Sequence, residues 1–264
     1  MKGAPMPTID VKDRKIHCLT SEEPLSGHKN TILFVHGAGG NRNHWINQFD
    51  GLKGDFNVIV AELPGHGKSS PQGANRVERY AEDISEVIAA LSPNQPVIAG
   101  HSMGGAIAQT VALNYPDKVR ALVLIGTGCR LKVLTAILDG LLNNFEETVS
   151  MINRYAFSKF TDEDIIQEGT SEMVKTPPSV IHGDFLACDR FNICDRVSDI
   201  SHPTLILCGE DDQLTPVKYS QFLLEKIPNA ALKTFPRAGH MVMLEKPGEI
   251  NEAIREFILS LPES

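Results

Sequence analysis

Short apolar runs without polar alternation recur along the chain at residues 31–35, 57–61, 96–99, 121–125 and 204–208, each followed by a turn containing glycine. A strand with one wet face alternates; a strand without alternation is covered on both faces, as in a parallel sheet between layers of helix. Helix-period segments lie between these runs at 43–52, 76–91, 103–114, 217–227 and 249–261, and one more strand-like run, 231–235, precedes the last of them. Strand and helix in alternation predict an α/β fold with a doubly wound, mostly parallel sheet, whose ligand sites lie at the carboxyl ends of its strands. Ahead of this pattern, residues 8–11 and 15–19 flank Lys12-Asp13-Arg14 and predict a β-hairpin.

The alternation stops between residues 129 and 202. That stretch shows helical periods at 131–142, 146–156 and 162–174, no strand, and a break at Thr176-Pro177-Pro178. It predicts a helical insertion, or cap, at 129–202 in a core formed by 1–128 and 203–264. The apolar residues of 131–142 at helical spacing are first of all a packing stripe.

The residues that carry chemistry follow strands. Gly100-His101-Ser102-Met103-Gly104 comes after the run 96–99 and opens a helix, the strand-turn-helix context of a G-x-S-x-G nucleophile elbow. A neutral serine hydroxyl is a poor nucleophile, so it requires a base, an acid to orient that base, and donors for the oxyanion. His240, reached through Pro236-Arg237-Ala238-Gly239 after the run 231–235, is the histidine placed to be the base. After the run 204–208, Gly209-Glu210-Asp211-Asp212-Gln213-Leu214-Thr215-Pro216 offers two neighbouring carboxylates, Asp211 and Asp212.

With these motifs assembled, the chain resembles the α/β-hydrolase superfamily from residue 31 to about 261. The chain order Ser102, Asp212, His240 is the family's order. The resemblance implies Asp212 as the acid, since in similar proteins the acid stands four residues before the proline of this loop; Asp211 is the alternative. It implies backbone oxyanion donors at Met103 and at Ala38 in His36-Gly37-Ala38-Gly39-Gly40, with Gly39 the alternative to Ala38. Gly37, Gly39, His101 and Met241 are expected at the substrate. Some family members place the acid after the preceding core strand, where this chain has Gly126-Thr127-Gly128 and no carboxylate. Leu63-Pro64-Gly65-His66-Gly67-Lys68-Ser69 resembles a supporting loop of the family, with Glu62 where the family more often has Asp.

The implied activity is that of a carboxylesterase-like serine hydrolase acting on a small-molecule ester through an acyl-enzyme. No cofactor and no metal are implied. The same triad serves C–C bond hydrolases, enol-lactonases, thioesterases and cofactor-free haloperoxidases, and the same scaffold serves small-molecule receptors. Haloalkane dehalogenases and epoxide hydrolases of this fold use a carboxylate where this chain has Ser102. The motifs carry no arginine pair, which predicts a mostly apolar pocket.

Composition narrows the picture further. With 25 Lys and Arg against 33 Asp and Glu, the formal charge is −8, and no basic run is present to neutralise a nucleic acid. At 42% hydrophobic and 22% charged residues the chain has the make-up of a globular protein. Gly67-Lys68-Ser69 imitates a P-loop tail, but the first glycine of that motif would fall on Glu62. The nine histidines show no metal-ligand spacing, and Trp45 reads as core. Five scattered cysteines without a C-x-x-C predict no disulfide framework. With no apolar leader at the N-terminus and no membrane-length apolar run, they point to a cytoplasmic protein. Oligomeric state is not legible.

Overall fold

The computed structural model describes residues 3–262; residues 1, 2, 263 and 264 of the expected core lie outside the described residues. An antiparallel hairpin of β1 (Thr8–Val11) and β2 (Arg14–Thr20) leads into β3 (Thr31–Val35) and β4 (Asn57–Ala61), joined by a 3-10 turn and α1 (Ile46–Leu52). Then α2 (Val77–Leu91), β5 (Val97–His101), α3 (Met103–Asn114) and β6 (Ala121–Ile125) alternate. Four consecutive helices follow: α4 (Thr135–Asn143), α5 (Phe145–Ala156), α6 (Glu163–Met173) and α7 (Pro178–Arg190). The chain ends with β7 (Thr204–Gly209), α8 (Val217–Lys226), β8 (Ala230–Phe235), α9 (Val242–Glu245) and α10 (Pro247–Ser260).

The eight strands form one sheet in the order β1-β2-β4-β3-β5-β6-β7-β8, parallel from β4 to β8, with β2 antiparallel to β4. Both faces of its central strands are covered. Ile32 and Phe34 of β3 join one apolar cluster with Trp45 and α10, while Leu33 and Val35 join another with α2 and α3. Successive side chains of a strand point to opposite faces, so burial on both sides requires the unbroken apolar runs seen in the sequence. Trp45 is fully buried, 4.8 Å ring to ring from Phe34, and is core.

The strand order places β3 between β4 and β5, so the chain winds outward in opposite directions from that point. This is a topological switch point, where adjacent loops diverge and leave a crevice. The strands end nearly level there: Val35 is paired with Ala61 on one side and Gly100 on the other, and Gly100 with Leu124. Loop 36–40 and the turn at Ser102 therefore leave the sheet side by side.

Helices α4 to α7 stand between β6 and β7 and share a small apolar cluster, Leu141, Val149, Ile152, Met173 and Ile181. Helix α7 starts with Pro178 at its first position, where the missing N–H costs nothing. No disulfide framework is expected from the sequence, and the structure adds a single bridge to that picture. Cys129 and Cys194, 65 residues apart, are bonded, and Ile193 N–H to Cys129 O (2.9 Å) and an Arg130–Asn192 bridge run alongside. The pairing is set by tertiary approach at the neck of the insert, which spacing along the chain does not encode. A disulfide is chemistry of oxidising compartments, so the cytoplasmic expectation gains nothing from it. Converting both cysteines to alanine is expected to cost roughly 2–4 kcal/mol, read as a lower urea midpoint than the parent's under non-reducing conditions. Among the described residues no helix is long and apolar enough to cross a membrane.

Candidate active site

Ser102 occupies the turn between β5 and α3 with φ 54° and ψ −115°, a left-handed conformation that side chains rarely adopt. The tight geometry is possible because the residues two positions away on either side, Gly100 and Gly104, lack Cβ atoms. A Cβ on Gly100 would run into the carbonyl of Gly104, and one on Gly104 into the carbonyl of Val35. Strain of this kind persists only where the surroundings enforce it. Here Ser102 N–H donates to Ile125 O (2.9 Å) and Thr127 Oγ1 donates to Ser102 O (2.8 Å).

His240 and Asp212 meet across the ends of β7 and β8. His240 Nδ1 donates to Asp212 Oδ2 at 2.9 Å, which leaves Nε2 as the basic nitrogen of the ring. The carboxylate is saturated. Its Oδ1 accepts the Leu214 and Thr215 amides (2.9 and 2.8 Å), and its Oδ2 also accepts Thr215 Oγ1 (2.8 Å). Burial would raise the Asp212 pKa, but the His240 ring and the Thr215 donors outweigh it and hold the carboxyl below the usual range. Asp211 faces away, with Oδ2 accepting Ser158 Oγ at 2.5 Å from the helical insert. Ser102 and His240 line one cavity without forming a hydrogen bond to each other, and such contacts commonly tighten only with substrate in place.

The loop after β3 is fixed from several sides. His36 Nδ1 donates to Gly37 O (2.9 Å), and its Nε2 accepts the Leu63 amide (3.1 Å), tying the loop after β3 to that after β4. Gly39 N–H donates to Asp184 Oδ2 (2.9 Å), so of this loop's two candidate amides, Ala38 and its alternative Gly39, only that of Ala38 remains available. Met103 is the first residue of α3, and first-turn amides of a helix have no intrahelical partner. Glu62 accepts the Lys68 amide of its own loop (3.1 Å) and faces His17 Nδ1 of β2 (3.2 Å) and the Arg42 guanidinium (3.7 Å).

A cavity of about 220 Å³ opens over Ser102. Ala38, His101 and Met241 line it; Gly37 and Gly39 do not, against the expectation that they touch substrate. His101 has a second task, since its Nε2 donates to His240 O (3.0 Å) and its ring stands 4.6 Å from the His240 ring. The walls are largely apolar side chains from the helical insert, among them Leu131, Leu134, Ile137, Ile152 and Met173, with Lys132 as the one cation. Sequence reasoning missed His44 in this lining, and the parts of Thr215, Asp184 and Tyr80 in the bonding around it.

A family profile described as alpha/beta hydrolase fold matches residues 30–247. The chain belongs to the α/β-hydrolase family. A solved structure of a thermophilic esterase superposes with a TM-score of 0.86 at 35% identity, covering 97% of this chain and 98% of that one. By sequence, the chain is 28% identical to the pimeloyl-[acyl-carrier protein] methyl ester esterase of Vibrio campbellii, over 86% of this chain and 93% of that protein. It is 25% identical to the 2-hydroxy-6-oxononadienedioate/2-hydroxy-6-oxononatrienedioate hydrolase of Comamonas testosteroni, over 88% and 89%. It spans only 60 to 65% of some longer curated relatives.

Three histidines of this α/β hydrolase are held neutral around the site. Burial is the main cause at each, pushing His44 down to about 4 and His36 and His101 well below the ordinary range. In the unfolded chain they protonate near pH 6.5, so below that pH the unfolded state takes up protons that the native state refuses. Their contribution to stability is thus present above about pH 6.5 and is lost as pH falls toward the folded values, by roughly 1.4 kcal/mol per pH unit for each group. The urea midpoint is expected to drop steeply between pH 7 and pH 5. A flat profile over that range would show that these rings are not buried neutral.

Proposed function

We propose that this hydrolase cleaves carboxylic esters through an acyl-enzyme formed on Ser102. His240 Nε2 takes the hydroxyl proton as the oxygen attacks the acyl carbonyl. Asp212 keeps the ring in that tautomer and stabilises the imidazolium. The Ala38 and Met103 amides take the oxyanion. His240 returns its proton to the leaving alcohol, and water releases the acyl group by the same steps in reverse roles. Residues 129–202 act as a cap that excludes water from an apolar acyl site.

The observation that carries this reading is the 2.9 Å bond from His240 to a saturated, buried Asp212, above the same cavity as a conformationally strained Ser102. Apolar walls with a single lysine favour an uncharged acyl group over a dicarboxylate such as the substrate named for the Comamonas testosteroni hydrolase. The test is a panel of p-nitrophenyl esters of increasing acyl length beside a lactone and a vinylogous diketone dicarboxylate. Steady multiple turnover above about 1 s⁻¹ on a short or medium ester is expected. Preference for the diketone would move the reaction to C–C cleavage, and a single burst without turnover would make the protein a receptor on a hydrolase scaffold.

A further inference from the structure

Asp184 lies in α7, within the helical insert, and its side chain is fully buried. It reaches three partners, all in the core. Oδ2 accepts the Gly39 amide (2.9 Å) and His66 Nε2 (2.9 Å); Oδ1 accepts Tyr80 OH at 2.7 Å. His66 has acceptors at both ring nitrogens, with Nδ1 3.2 Å from Pro64 O, an arrangement that only the protonated ring satisfies. Burial alone would lower the His66 pKa, but the Asp184 carboxylate and these hydrogen bonds outweigh it and raise it. The result is a buried, hydrogen-bonded ion pair bridging insert and core.

A buried charge pair is weak evidence for stability, since desolvation offsets much of the attraction. What this one does is geometric. Gly39 sits at φ 65° under the Met173 side chain, one residue beyond Ala38. An amide held by a carboxylate is unavailable to an oxyanion, and it fixes the peptide planes next to it.

We propose that Asp184 is a positioning residue for the oxyanion hole: by taking the Gly39 N–H it presents the Ala38 amide to the cavity, and only while α7 is seated on the core. Oxyanion stabilisation thereby depends on closure of the insert, so an open enzyme would bind esters without acylating efficiently. This rests on the serine-hydrolase reading above.

Asp184→Ala and Asp184→Asn separate this role from a structural one. Asparagine can keep its carbonyl on Gly39 and His66 and turn its NH₂ to Tyr80 oxygen, which already accepts from the Ala74 amide (2.9 Å). Asp184→Ala is expected to lower kcat for a p-nitrophenyl ester roughly 10²-fold at a KM within about threefold, and Asp184→Asn to stay within about tenfold of the parent. Affinity for a trifluoromethyl ketone, which Ser102 Oγ adds to and turns into an oxyanion, should fall in Asp184→Ala by a similar factor. Affinity for the matching unreactive alcohol should not. A folded Asp184→Ala protein with kcat within threefold of the parent, or equal losses for ketone and alcohol, overturns the proposal. Where Asp184→Ala does not fold, Asp184→Ser, too short to reach Gly39, takes the same criteria. Unfolding of both would assign the contact to folding and also overturn it. Failure of the underlying reading looks different: ester turnover is absent, or it survives Ser102→Ala.

Discussion

Ser102→Ala is expected to lower turnover of a short-chain aryl ester by at least about 10³-fold in a protein that remains folded. The bonds that fix this residue are made by its backbone, to Ile125 and Thr127, and the elbow is shaped by the glycines around it. Alanine keeps all of these and loses only the hydroxyl. What survives should be the catalysis that an oxyanion hole and a bound substrate supply without a nucleophile. Circular dichroism and the urea midpoint check the fold, and turnover after purification away from host esterases checks the chemistry. Retained turnover would remove Ser102 from the reaction.

Asp212→Asn is expected to cost about 10⁴-fold in kcat, through the tautomer of His240. The Leu214 and Thr215 amides will hold the asparagine carbonyl where Oδ1 now lies, which puts the NH₂ group where Oδ2 meets His240 Nδ1. Nδ1 must then accept, the ring proton moves to Nε2, and no base faces Ser102. Asp211→Asn alters a contact to Ser158 outside the cavity and is expected to stay within about tenfold. Equal losses in the two variants would show that the acid works by charge at a distance and not by holding the ring.

The parallel strands were legible because covering both faces of a sheet leaves no polar alternation, and the elbow because its glycines are demanded by neighbouring backbone. Asp212 was separable from Asp211 only through the family's spacing; the structure adds a physical difference between them, since one residue faces His240 and the other Ser158. The support around these groups was not legible. Gly39 and Asp184 are 145 residues apart, and neither sits in a motif that names the other. Thr215 lies in the acid loop 209–216, but that its hydroxyl would reach Asp212 depends on how the loop folds back. The helical insert gave periodic apolar stripes, yet Leu141 turns into its small core while Leu134 lines the cavity at 72% exposure. Periodicity identifies an apolar side of a helix without saying what that side will meet.

The sulfur bridge at the neck of the insert gives the chain a mechanical shortcut. Tension applied to the two ends of the molecule would cross from Cys129 to Cys194 and bypass α4 to α7, which would hang from the loaded path like a closed link. Tugging on the polypeptide would strip the sheet of its strands before it straightened the helices above Ser102, unless a reductant first opened the link.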